Sequence, residues 1–181
     1  MDVVDALDQS LQHTQTVIAG VSTSDYDRPT PCEGWTVRDL LEHMVGVVAG
    51  IGAAASGTAP EPFSLGDDLA AQFEKIAAAN VSAWRQPGVL EKIVDGPAGP
   101  MPGSVLAGIN LLDTATHTWD LAKATGQDTR LPDDVARAAL EASRQIISAE
   151  IRPGRFGPEL AAPADANPTQ ELVSFLGRSC S

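Results

Sequence analysis

Apolar residues spaced three and four apart, interrupted by proline and glycine, constrain this chain more than any other feature. Val3, Val4, Leu7, Leu11, Thr14, Ile18 and Val21 make the first such stripe, the pattern of a helix with one buried face. Pro29 and Pro31 end it, since neither ring fits a helix interior. Thr36 and Asp39 have the spacing of a capping box. They open a second helix whose apolar face runs through Val37, Leu40, Leu41, Met44, Val45, Val47, Val48 and Ile51 and fades around Gly50 to Gly57. A third helix is expected from about Asp67 to Arg85, with Leu69, Phe73, Ile76, Asn80 and Trp84 along one side. A fourth runs from about Ser104 to Thr125 and stops at Gly126, a good C-terminal cap. Leu131-Pro132-Asp133-Asp134 opens a fifth, and Asn167-Pro168-Thr169-Gln170 caps a short last one through Phe175. Gly88 to Gly103, including the turn-rich run Pro97 to Gly103, reads as an irregular loop, because nothing obvious pairs with Val89 to Val94. Long helices with scarcely a strand indicate an all-α bundle.

Length and composition narrow the function classes. The 181 residues suit one domain, 1–181, with a sizeable core. At 43% hydrophobic and 20% charged, the chain falls in the globular rather than the disordered class. A net charge of −12 argues against binding nucleic acid or anionic membrane through a basic surface. The uncharged stretch from Met44 to Pro60 is too short and too rich in Gly and Ala for a membrane span. Two cysteines make no disulfide framework and read as thiols in a reducing compartment. With no basic start to the N-terminus, the expected location is cytoplasmic.

The three histidines are the most informative residues. His43 lies on the apolar face of the second helix, between Leu40 and Val47. On the fourth helix, Leu106, Ile109, Asp113, His117 and Asp120 follow one side, which begins apolar and turns to Asp, His and Asp. An unpaired buried carboxylate costs several kcal/mol in effect. A divalent metal would remove that cost, and the four-residue spacing of Asp113 and His117 aims both at one centre, with His43 as a third ligand. Two histidines and one carboxylate leave an open position, the arrangement of a catalytic site. The plainer alternative is a core histidine bonded to a carbonyl and a helix-face Asp–His pair. Asp120 is open to three roles: a fourth ligand, a partner orienting His117, or a bond to Trp119, Lys123 or a neighbouring helix. His13 falls off the main stripe and is expected to face solvent. Cys32 reads as an inert loop or core thiol, and Cys180, at the chain end, as lacking fixed structure. Trp35, Trp84 and Trp119 read as core or cavity-lining, with Trp119 the best candidate to wall a pocket. No GxSxG, Walker A, GxGxxG or CxxC pattern occurs.

Two segments resemble a known family. PCEGWTVRDLLEH at 31–43 resembles the start of the second helix of the mycothiol-dependent maleylpyruvate isomerase family. That family belongs to the DinB-like superfamily of metal-binding four-helix bundles. HTWDLAKATG at 117–126 looks like its second signature in the actinobacterial form, and the ending, Phe156-Gly157-Pro158 through Leu176-Gly177-Arg178, is similar too. The resemblance implies a DinB-like four-helix bundle with a short extra C-terminal helix. It implies a divalent metal, usually zinc, on His43, Asp113 and His117. Asp113 departs from the glutamate of the isomerase pattern, and one methylene less leaves direct and water-mediated ligation both open. The isomerase itself has a further C-terminal domain that these 181 residues do not include, so its particular reaction is not implied.

The leading reading is a metal-dependent enzyme using a low-molecular-weight thiol of the mycothiol type, as a transferase or isomerase. A small-molecule substrate and the thiol are its partners, and Asp120 orients His117 or handles a proton. Zn2+ is expected, and His/carboxylate sites also accept Ni2+ or Fe2+. A hydrolase with metal-bound hydroxide as nucleophile, or a non-catalytic metal- or small-molecule-binding bundle, are the alternatives. A homodimer through a bundle face is compatible with the sequence, with no residue demanding it.

Overall fold

The computed structural model describes residues 1–66, 68–96 and 99–180. Six α-helices form among the described residues: α1 (Val3–Ala19), α2 (Val37–Ser56), α3 (Leu69–Trp84), α4 (Gly103–Thr125), α5 (Asp133–Ile146) and α6 (Pro168–Phe175). The helix starts follow the capping chemistry. Asp2 accepts from Val4 and Asp5 at the head of α1. Thr36 and Asp39 complete the expected capping box at α2, and Asn167 with Gln170 does the same at α6. α2 runs on through its Gly/Ala-rich end to Ser56 and stops at left-handed Gly57. Asp67, the expected first residue of the third helix, lies outside the described residues, and α3 begins after Asp68, whose side chain accepts from Ala71.

α1 packs on α3 and α4, and α2 packs on the same two, which closes a four-helix bundle. α5 lies outside it against α4 and α1, and α6 packs on α5. The C-terminal ends of α1 and α4 come together where Gln127 Nε2 donates to the Val17 carbonyl at 3.0 Å. The core gathers the predicted stripes, with Leu7, Leu11, Leu40, Leu41, Met44, Phe73, Leu106, Leu111 and Leu121 all fully buried. By length and composition α2 could cross a membrane. Its Val37, Leu40, Leu41, Met44, Val45 and Val48 are instead used in the bundle core. A buried polar contact joins three helices: Asn80 donates to the Val48 carbonyl at 2.8 Å and accepts from Asn110 at 2.9 Å.

The stretch before α4 is not an irregular loop. Ile93–Gly96 (β1) pairs antiparallel with Gly99–Pro102 (β2), with Val94 opposite Met101 and Asp95 opposite Pro100. The pairing was hidden because β2 is Gly-Pro-Met-Pro, a run without strand propensity. Proline is tolerated at the edge of a two-stranded ribbon, where its missing N–H breaks no further ladder. Pro97 and Ala98 lie outside the described residues.

Candidate metal centre

The N-terminal half of α2 and the C-terminal half of α4 face each other. His43 enters from α2, six residues after its start. Asp113 and His117 enter from α4, one turn apart. His43 Nε2 lies 3.2 Å from Asp113 Oδ2, and His117 Nε2 lies 3.7 Å from the same oxygen. The three potential ligand atoms are within 4.8 Å of one another. The side chains remain 30%, 21% and 14% exposed in the order His43, Asp113, His117, so the cluster opens to solvent on one side. Asp113 Oδ1 is buried without a hydrogen-bond partner among the described residues. A carboxylate with one oxygen orphaned and the other aimed at two imidazole nitrogens is a set of donors that could hold a cation. Two nitrogens and one oxygen suit zinc or a similar divalent ion. The shorter side chain of Asp113, relative to Glu, still brings its carboxylate to both imidazoles.

His117 is held from behind. Its Nδ1 lies 2.9 Å from Asp120 Oδ2, which leaves Nε2 facing Asp113. Asp120 is fully buried and takes a two-pronged grip from Arg178, Nε to Oδ1 at 2.9 Å and Nη2 to Oδ2 at 2.8 Å. Burial alone would raise the Asp120 carboxyl, but the hydrogen bonds and charges of His117 and Arg178 outweigh it and hold it below its ordinary value. Arg178 in turn stays charged despite its burial, because Asp120 supports its cation. Cys32, His117 and Asp120 form a second group of metal-capable atoms within 4.8 Å. There the Arg178 guanidinium already supplies the positive charge that Asp120 needs.

Cys32 sits beside this group, its Sγ 3.4 Å from Asp120 Oδ2 and 3.8 Å from His117 Nδ1. Burial, then the Asp120 carboxylate, push its thiol up to about 12. At neutral pH it is a hydrogen-bond donor and a poor nucleophile. This agrees with the inert reading of Cys32, though the sequence did not place it at the site. The loop that carries it is pinned locally: Thr30 Oγ1 accepts from the Cys32 amide at 3.2 Å and donates to the Trp35 carbonyl at 3.0 Å. The same loop lays Trp35 over the cluster. Its ring lies edge-on to His43 at 4.9 Å and stacks on His117 at 6.2 Å between centroids.

Trp35, rather than Trp119, therefore walls the site. Trp119 stands two residues from His117, about 200° around the helix, and is buried with Lys123 Nζ 5.7 Å from its ring. His13 is half-buried rather than solvent-facing, and burial pulls its imidazole below the ordinary value against the opposing Asp128. Cys180 is not loose: its Sγ lies 3.3 Å from Ser174 Oγ on α6. Arg178, like Cys32 and Trp35, is a site residue that sequence reasoning missed. Once the structure shows Asp120 fully buried, a cation must answer it, and no local spacing in the sequence says which one.

Comparison with known proteins places the chain among relatives and the bundle among solved folds. The model of the mycothiol maleylpyruvate isomerase N-terminal domain matches residues 7–65, the stretch that holds Cys32, Trp35 and His43. Two proteins of Mycobacterium tuberculosis, the uncharacterized proteins Rv0738 of strain H37Rv and MT0763 of strain CDC 1551, are 35% identical over 181 residues, 99% of both chains. The chain belongs to one family with these two proteins, and within it residues 7–65 are similar to the mycothiol maleylpyruvate isomerase N-terminal domain. Among solved structures, the mycothiol-dependent maleylpyruvate isomerase superposes with a TM-score of 0.56 at 18% identity, over 76% of this chain and 68% of that one. A histidine-to-alanine mutant of that enzyme gives 0.54 at 16% identity over the same shares. At such identities the likeness is one of fold, and it confirms the expected helical bundle.

Proposed function

We propose that this protein is a cytoplasmic, metal-dependent enzyme that uses a low-molecular-weight thiol of the mycothiol type for S-transfer or thiol-assisted isomerisation of a small electrophile. The observation that carries the reading is the convergence of His43 Nε2, Asp113 Oδ2 and His117 Nε2 on one point, with Asp113 Oδ1 orphaned beside them. The family supplies the thiol, since the solved relative is described as mycothiol-dependent. His43, Asp113 and His117 are the proposed ligands, Zn2+ the expected ion, and Ni2+ or Fe2+ alternatives of the same donor class.

A divalent metal there supplies the charge that keeps a bound thiol as its thiolate at neutral pH. The chain's own residues do the rest. His43 and His117 present their Nε2 atoms, and Asp113 presents Oδ2, toward the same point. Trp35 covers one side of the pair of imidazoles and excludes water from it. Asp120 holds His117 by Nδ1 and is sealed from solvent, which supports orientation over proton handling as its part. Cys32 keeps its proton and does not compete as nucleophile.

Elemental analysis of the purified protein beside His117→Ala and Asp113→Ala tests the ligand set. Near-stoichiometric metal that falls in both variants is expected. Turnover of a panel of electrophiles with mycothiol, against a metal-stripped control, tests the reaction. No rate above that control, across a broad panel, sinks the thiol reading. Turnover that does not need the thiol replaces it with the hydrolase.

A further inference from the structure

The last residues of the chain reach back into the site. After α6 the backbone turns at Gly177, with φ of 82°. A Cβ at Gly177 would stand 2.7 Å from the Gly157 backbone, and one at Gly157 would stand 3.2 Å from that of Gly177. Two backbones therefore cross in direct contact, and only glycine permits the approach from the Gly177 side. Arg152 fastens the crossing, its Nη1 donating to the Gly157 carbonyl at 2.8 Å and the Phe175 carbonyl at 2.9 Å. Arg178 follows immediately, and its main-chain N–H donates to the Val173 carbonyl at 2.8 Å. Its guanidinium is thus delivered from a fixed backbone, and both its prongs land on Asp120. A chain of contacts runs from the tail through Arg178 and Asp120 to His117 Nδ1, and ends at the Nε2 that faces Asp113.

We infer that Arg178 is a positioning residue: by gripping Asp120 it fixes the orientation and the Nδ1–H tautomer of His117, so that docking of the C-terminal tail and loading of the metal centre support each other. The second half rests on the metal reading above, and the first does not. Arginine suits the task because its planar fork holds both carboxylate oxygens in one plane, which a lysine point charge does not. Partners that orient a metal-binding histidine typically change affinity by about 10–100-fold. Coupling between tail and metal is reciprocal, so zinc should tighten the tail by the factor by which the tail tightens zinc.

The experiment compares wild type, Arg178→Ala and Arg178→Lys, each checked for helical content by circular dichroism. Imidazole 15N spectra of the metal-free proteins report the tautomer of His117. Zinc affinity is measured by competition with a chromophoric chelator, and amide exchange of residues 177–180 is followed with and without zinc. The expected result is a His117 with Nδ1 protonated in wild type and mixed tautomers in Arg178→Ala. Zinc binds at least tenfold more weakly to that variant, Arg178→Lys lies between, and zinc slows tail exchange in wild type. If Arg178→Ala does not fold, Arg178→Lys alone carries the comparison. Unchanged His117 signals in a folded variant overturn the positioning role. Equal zinc affinity, with tail exchange indifferent to zinc, overturns the coupling. A wild type that takes no zinc refutes the metal reading and the coupling together, and the imidazole spectra still decide the positioning role.

Discussion

Removing Arg178 and Asp120 singly and together measures what holds the interior of the site. Asp120 is fully buried, whereas the Arg178 side chain keeps 16% of its surface exposed. In Arg178→Ala the Asp120 carboxylate loses both prongs and keeps His117 and the Cys32 thiol among the described residues. Orphaning a buried charge costs about 3–5 kcal/mol, a large share of the ~5–15 kcal/mol that holds a domain together. In Asp120→Ala the arginine can turn toward water along the route it already occupies, so about 2–3 kcal/mol is expected, the lower part of the buried-pair range or below. The double variant strands no charge, and its loss should fall short of the sum by about 2 kcal/mol. Urea unfolding at pH 7 gives all three values. The pH dependence should differ in sign. In wild type the Asp120 carboxyl is held below its ordinary value of 3.8, so its stabilisation is complete at neutral pH and lost as pH falls through the lower folded value. In Arg178→Ala the carboxyl rises above 3.8 for want of a cation. Its penalty is then present at neutral pH and relieved as pH falls. A loss under about 1 kcal/mol in Arg178→Ala, or strict additivity in the double variant, would refute the reasoning.

Asp113→Ala should leave the metal-free protein equally stable or raise it by about 1 kcal/mol, since an orphaned buried oxygen disappears. The same variant should abolish the gain of about 2.7 kcal/mol that a ligand at a hundred times its Kd provides, read as the melting shift with and without zinc. Thr36→Ala removes the hydroxyl that accepts from the Asp39 amide at 3.3 Å at the head of α2. It should cost about 1 kcal/mol in urea unfolding, with Thr36→Ser restoring most of it. His13 is neutralised by burial, so it contributes stability above its ordinary value of 6.5 that is lost as pH falls through the lower folded value. His13→Gln should flatten stability between about pH 7 and pH 5, and an unchanged slope would assign that acid sensitivity elsewhere.

The helices were legible because each start and stop is local chemistry. Thr36 with Asp39, Asn167 with Gln170, and Gly126 act within one turn of the chain, and the structure uses all three as expected. Asp113 and His117 were legible as a pair because helical geometry alone puts residues four apart side by side. The hairpin was not, because β2 has strand geometry only by pairing with Ile93–Gly96. Trp119 was preferred over Trp35 by nearness in sequence to His117, whereas the loop held by Thr30 brings Trp35 to the cluster from another element.

The caps, the apolar faces and the row of acidic and imidazole groups on α4 follow from contacts within about a turn, and the apolar faces in turn require a helical bundle to bury them. Only the tertiary structure decided which groups meet: His43 with Asp113 across 70 positions, Cys32 with His117 across 85, and Arg178 with Asp120 across 58. The physical reason is that a buried charge must find its counterion wherever the packed chain brings one. The helix that carries Asp120 fixes where that charge lies, and the crossing of Gly157 and Gly177 fixes where its partner arrives.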